Sequence, residues 1–154
     1  MSSIAQIHDF LSRKRIAMIG VSRNPNDFSR SLFREFLARG YDVVPVHPNA
    51  GEVEGKACFS RPQNITPPVE GALLMTAPEV TDRVVEDCAE AGIQSVWMYR
   101  AAGAGAVSRG AVAFCEAKGI AVVAGECPFM FFPHNGLLHG LHGVVRKITG
   151  WYPR

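Results

Sequence analysis

The chain has 154 residues, 47% apolar and 19% charged, with a formal net charge of +2. That suffices for one domain with a real core, and the charge is too small to argue for a nucleic-acid binder. No apolar run approaches the roughly 20 residues of a membrane span, and residues 1–10 lack the apolar centre of a signal peptide.

Residues 4–11 read as a short leading helix with Ile4, Ile7, Phe10 and Leu11 on one side. A first strand, residues 15–21, breaks at Gly20-Val21-Ser22-Arg23-Asn24-Pro25-Asn26-Asp27. From Phe28 the period becomes helical, with Leu32, Phe33, Phe36 and Leu37 on one stripe and Gly40 closing the helix. A second strand, residues 41–46, follows at once, then a loop held extended by Pro45 and Pro48. Residues 57–59 are strand-like, residues 60–69 irregular, and residues 71–76 a third strand. Pro78 opens a helix striped by Val80, Val84, Val85 and Cys88 and ended by Gly92. Residues 95–99 form a fourth strand, residues 106–118 a helix, and residues 120–124 a fifth strand. An apolar loop over 126–133 leads to a final helix over 136–149 and a tail.

Short apolar strands alternating with helices predict an α/β fold, a Rossmann-like doubly wound parallel sheet of five strands with helices on both faces. Right-handed crossovers with a switch point beside the first strand predict the order 3-2-1-4-5. The whole of 1–154 is then a single domain, with 134–154 a C-terminal helix and tail. Ligands belong above the carboxyl ends of the strands, at Gly20 to Phe28, Val46 to Pro48, Thr76 to Pro78 and Tyr99 to Gly105.

The turn after the first strand presents backbone N–H groups and a helix N-terminus, which suits a phosphate or pyrophosphate. Charge agrees with that placement. Residues 1–40 carry seven Lys/Arg against three acids, and residues 41–100 four against nine. Arg23 and Arg30 are candidate phosphate partners. The dinucleotide fingerprint is absent, since G-x-G-x-x-G would need glycine where Ser22 and Pro25 stand. A NAD site also wants a carboxylate at the end of the second strand, where Val46-His47-Pro48-Asn49 stands. His47, with Lys56 beyond it, suits a ribose carrying a phosphate instead.

Three stretches carry a family resemblance: Ile19-Gly20-Val21-Ser22-x-Asn24-Pro25, Gly40-Tyr41-Asp42-Val43-Val44-Pro45-Val46-His47-Pro48, and Gly55-Lys56-x-Cys58-Phe59. Together with Ser95-Val96-Trp97-Met98 and Cys127-Pro128, this succession resembles the small stand-alone CoA-binding-domain proteins. Those proteins share their fold with the nucleotide-binding domain of succinyl-CoA synthetase. The resemblance implies a Rossmann-like fold that binds coenzyme A, with no chemistry assigned to most members of the family. By position, it implies that Gly20, Ser22, Asn24 and Pro25 line the pyrophosphate turn and that Ser29 meets a phosphate. It further implies that Pro45, Val46, His47 and Pro48 flank the adenine and ribose. Lys56 would then lie near the phosphates, and Thr76, Ala77 and Pro78 across the switch point.

Other readings compete. An enzyme using NADP or an acyl-CoA would draw its acid–base groups from His47, Glu126 and Tyr99. A third reading is a redox-sensing or structural module that binds no nucleotide. The scattered cysteines, Cys58, Cys88, Cys115 and Cys127, have no CxxC spacing and read as free thiols of a cytoplasmic protein. His134, His139 and His142 match no standard zinc spacing. The amphipathic tail suits covering the sheet or a homodimer interface rather than a membrane.

Overall fold

The computed structural model of the chain describes residues 2–49 and 51–133. The expected helix over 136–149, and with it His134, His139 and His142, lies outside the described residues.

A capping box starts α1 (Ile4–Ser12): the Gln6 amide donates to Ser3 Oγ at 3.1 Å and the Ser3 amide to Gln6 Oε1 at 2.8 Å. It buries Ile7 and Phe10, whose ring meets Trp97 edge-on at 5.3 Å. Then come β1 (Arg15–Ile19), α2 (Phe28–Ala38), β2 (Asp42–Val46), the small hairpin β3 (Glu52–Val53) and β4 (Lys56–Ala57), and β5 (Gly71–Leu74). The described chain closes with α3 (Pro78–Glu90), β6 (Ser95–Tyr99), α4 (Arg109–Ala117) and β7 (Ala121–Glu126).

The large strands form one five-stranded parallel sheet in the order β2-β1-β5-β6-β7. Successive side chains of β1 alternate between its faces, as strand geometry requires. Ile16 and Met18 join Phe10, Phe33, Phe36 and Trp97 on the α1–α2 side. Ala17 and Ile19 join Val85, Cys88, Ala111 and Cys115 on the α3–α4 side. The doubly wound class is therefore as the apolar periodicity predicts.

The order 3-2-1-4-5 needs correction. Numbered by its five long strands, the sheet runs 2-1-3-4-5, with β5 beside β1 and not beyond β2. The outer edge of β2 is taken by another segment. The Phe59 amide donates to the Pro45 carbonyl at 3.0 Å and the His47 amide to the Phe59 carbonyl at 2.9 Å. Pro45 has no N–H, and on a strand a residue's N–H and C=O face the same side, so proline at this place marks an edge. Among the described residues no α-helix crosses from β2 to β5. A hairpin and one 3₁₀ turn, Pro62–Asn64, occupy that stretch. All four residues of β5 are buried, which suits the interior of the sheet.

Two boundaries also differ from expectation. α4 begins at Arg109 because Ser108 caps it, its Oγ accepting from the Ala111 amide at 3.3 Å. β7 runs on to Glu126 through a bulge, Met98 pairing Ala124 and Tyr99 pairing Glu126, with Gly125 at φ +90 between them.

Candidate functional site at the switch point

In this order the chain reverses direction between β1 and β5, and the crevice above their carboxyl ends is where open α/β sheets hold ligands. Gly20 ends β1 at φ +87, and a Cβ there would stand 2.9 Å from Thr76 Cγ2 and 3.1 Å from the Met75 carbonyl. Only glycine combines that backbone with so close an approach.

Beside Gly20 opens a cleft of about 340 Å³ whose lining includes Val46, His47, Pro48, Thr76 and Ala77. Pro78 begins α3 at its edge. Two stretches chosen from sequence, one after β2 and one after β5, thus face each other over Gly20. Val80 and Val84 of α3 form part of the wall, so most of the surface is apolar.

The turn itself is wound tightly by its own side chains. The Ser22 amide donates to Ser29 Oγ at 2.9 Å, the Asn24 amide to Ser22 Oγ at 3.1 Å, and the Asn26 amide to Asn24 Oδ1 at 3.0 Å. Asp27 caps α2, accepting from the Ser29 amide at 2.8 Å and from the Ser29 hydroxyl. Ser29, buried, is therefore the pin of the turn. Among the described residues, the amide of Arg23 meets no acceptor.

The two arginines diverge in role. Arg30 donates through Nη1 to the carbonyls of Ser22 and Arg23 at 3.3 and 3.2 Å and through Nη2 to Glu54 Oε1 at 2.9 Å. Its cation is already paired. Arg23 is exposed, and among the described residues its guanidinium has no hydrogen-bond or ion-pair partner. It stands close enough to His47 to act on it. Burial, and then the Arg23 charge, hold the His47 imidazole below its ordinary value. His47 Nδ1 accepts from the Asn49 amide at 2.9 Å, so its proton sits on Nε2.

Lys56 is not brought to this end of the sheet. Its Nζ donates to Asp42 Oδ1 at 3.0 Å, and Asp42 opens β2 at the amino end, opposite the cleft. The sequence puts Lys56 after the site loop; the β3–β4 hairpin turns it back. Pro45 lies one residue below the cleft, its carbonyl turned to Phe59.

Sequence reasoning missed Glu54 and Thr81. Glu54 gathers Arg30 and Arg34, described below. Thr81 Oγ1 donates to the Ala77 carbonyl at 3.1 Å, so the 2.7 Å contact between its hydroxyl and that of Thr76 is donated by Thr76. Thr76 Oγ1 then offers only lone pairs to the cleft.

Burial pushes the Tyr99 phenol up to about 12 and the Cys127 thiol up to about 11. Both stay protonated near neutrality, which removes them as bases or nucleophiles there. Among the described residues no group of His, Cys, Asp and Glu is arranged to hold a metal ion. No helix among them is long and apolar enough to cross a membrane.

A parallel doubly wound sheet with a glycine-ended first strand and a cleft at its switch point puts the chain in the Rossmann-like α/β class. Within that class the chain belongs to the CoA binding domain family, whose model matches residues 14–133. It is 29% identical over 126 residues to the protein YneT of Bacillus subtilis, covering 81% of this chain and 90% of that protein. A solved structure from Pyrococcus horikoshii OT3 aligns with TM-score 0.75 and 28% identity over 83% of this chain and 92% of its own. An acetyl-coenzyme A synthetase of Ca. Korarchaeum cryptofilum, solved with phosphate and ADP, shares the fold. It aligns at TM-score 0.64 and 22% identity, over 73% of this chain and 25% of the synthetase.

Proposed function

We propose that this protein binds coenzyme A, or an acyl-CoA, across the β1–β5 switch point and holds it without transforming it. The observation that carries this reading is the meeting of Val46–Pro48 with Thr76 and Ala77 over Gly20, in a largely apolar cleft beside a turn whose Arg23 amide meets no acceptor among the described residues. The adenine and ribose belong between His47, Pro48 and Thr76, and the pyrophosphate on Gly20, Ser22, Asn24 and Pro25. Arg23, unpaired and beside His47, supplies the charge for a phosphate. Arg30 serves the turn and does not meet the ligand. Lys56 stays with Asp42. Four cysteines free of disulfides support a cytoplasmic location for it.

The test is thermal unfolding with CoA, acetyl-CoA, NAD and NADP. A ligand at about 100 times its dissociation constant adds roughly 2.7 kcal/mol, several degrees for a domain of this size. CoA should raise the Tm, and Arg23→Gln should reduce the rise. A rise with NADP alone would replace this reading with an oxidoreductase.

A further inference from the structure

The hairpin after β2 turns on two residues, Glu54 at φ 50 and Gly55 at φ 75. That is the two-residue connection with positive φ at both positions, where Asn, Asp or Gly normally comes first. Glu54 is the one non-glycine residue with positive φ among the described residues. Such a placement calls for a reason in the side chain.

The reason is a set of contacts to one carboxylate oxygen. Glu54 Oε1 accepts from Arg30 Nε at 3.1 Å, Arg30 Nη2 at 2.9 Å and Arg34 Nη1 at 2.7 Å. Both arginines then reach on to the turn after β1. Arg30 holds the carbonyls of Ser22 and Arg23, and Arg34 holds that of Pro25 at 3.3 Å. Across a trans peptide, the N–H of the next residue points away from the C=O. Drawing these carbonyls towards the arginines therefore turns the amides of Arg23, Asn24 and Asn26 the opposite way. Of these three, the Asn24 and Asn26 amides go to side chains of the turn and the Arg23 amide meets no acceptor among the described residues.

We infer that Glu54 is a positioning residue for ligand binding. It holds Arg30 and Arg34 on the carbonyls of the turn and so sets which way the turn's amides face. Residue 54 also belongs to the hairpin that follows the His47–Pro48 loop, so one carboxylate ties the two halves of the site together. This rests on the coenzyme A reading above.

Simple Coulomb reasoning gives the opposite sign. Deleting a carboxylate near a phosphate site should tighten anion binding; deleting a brace should loosen it. Glu54→Asn separates the two effects from folding, because Asn-Gly is the favoured pair for this hairpin turn. The measurement is calorimetric titration of wild type and Glu54→Asn with CoA and with adenosine 3′-monophosphate, which lacks both phosphates of the pyrophosphate. The expected result is a Kd for CoA raised about tenfold, an unchanged Kd for the monophosphate, and a Tm of the free variant no lower than wild type. Glu54→Gln should show the same loss for CoA. Unchanged or tighter CoA binding, or an equal loss for both ligands, would overturn the assignment of Glu54. Failure of wild type to bind CoA would instead remove the reading on which it rests.

Discussion

The amide of Ser22 and the hydroxyl oxygen of Ser29 meet at 2.9 Å, joining the turn after β1 to the first turn of α2. Ser29 also donates to Asp27, the residue that caps the helix. One buried hydroxyl thus fixes both the turn and the helix start.

Ser29→Ala should leave the Ser22 amide without its acceptor while keeping the Asp27 cap. The expected loss is about 1–2 kcal/mol of stability, read as a lower urea midpoint with unchanged slope. Because the turn carries the proposed pyrophosphate site, CoA affinity should fall in the same variant. An affinity loss with no change of midpoint would mean that the hydroxyl contacts ligand directly.

Gly20→Ala should be harsher. Its φ of +87 is unfavourable for alanine, and the added methyl would meet Thr76 Cγ2 at 2.9 Å and the Met75 carbonyl at 3.1 Å. Strain and clash together should destabilise by about 2–4 kcal/mol and displace Thr76 from the cleft. Chemical denaturation checks the first effect and CoA titration the second. A variant of wild-type stability would show that β5 can withdraw from β1 at this point.

Much of this was legible in the sequence, and the misreadings have physical causes. Apolar periodicity located the five long strands because each buries on both faces. It could not order them, since order depends on what fills each edge. Pro45 was the available signal, as a proline inside an apolar strand marks an edge. Lys56 and Arg30 look alike as basic residues near a phosphate-shaped turn. Their difference is set by partners distant in sequence, Asp42 for one and Glu54 for the other. Arg23 became the stronger candidate because among the described residues no carboxylate neutralises it.

Acid should weaken the fold in two stages of the same sign. Burial and the Arg23 charge hold His47 below 6.5 in the folded protein, so the unfolded chain binds that proton more readily. Stability then falls as pH drops through 6.5 toward the folded value. Asp42 is held below 3.8, first by its bond from Lys56, and Glu54 below 4.5, first by its bond from Arg34. Their contributions are present above those values and are lost as pH falls through the lower folded ones. Both are partly exposed ion pairs, so salt should shrink this second stage. Urea midpoints from pH 8 to pH 3 test the sequence, and His47→Asn should flatten the upper stage alone. A midpoint rising between pH 7 and pH 5 would contradict it.

Thiol labelling offers a test of the site without a bound-state structure. Cys88 and Cys115 are buried between α3 and α4, and Cys127 is buried beyond β7, with burial raising all three thiols. Cys58 is half-buried, its thiol is raised by burial less severely than theirs, and its Sγ donates to the His47 carbonyl at 3.9 Å. At pH 8, iodoacetamide should modify Cys58 first and slowly, and the other three only as the protein unfolds. Since Cys58 touches the backbone of His47, a ligand seated on the Val46–Pro48 loop should protect it. CoA should therefore slow labelling of Cys58 at concentrations where NAD has no effect, as read by peptide mass spectrometry. If CoA raises the melting temperature yet leaves the Cys58 rate unchanged, the adenine end of the ligand lies elsewhere than against His47. If Cys127 labels first, the loop following β7 opens more readily than its burial implies.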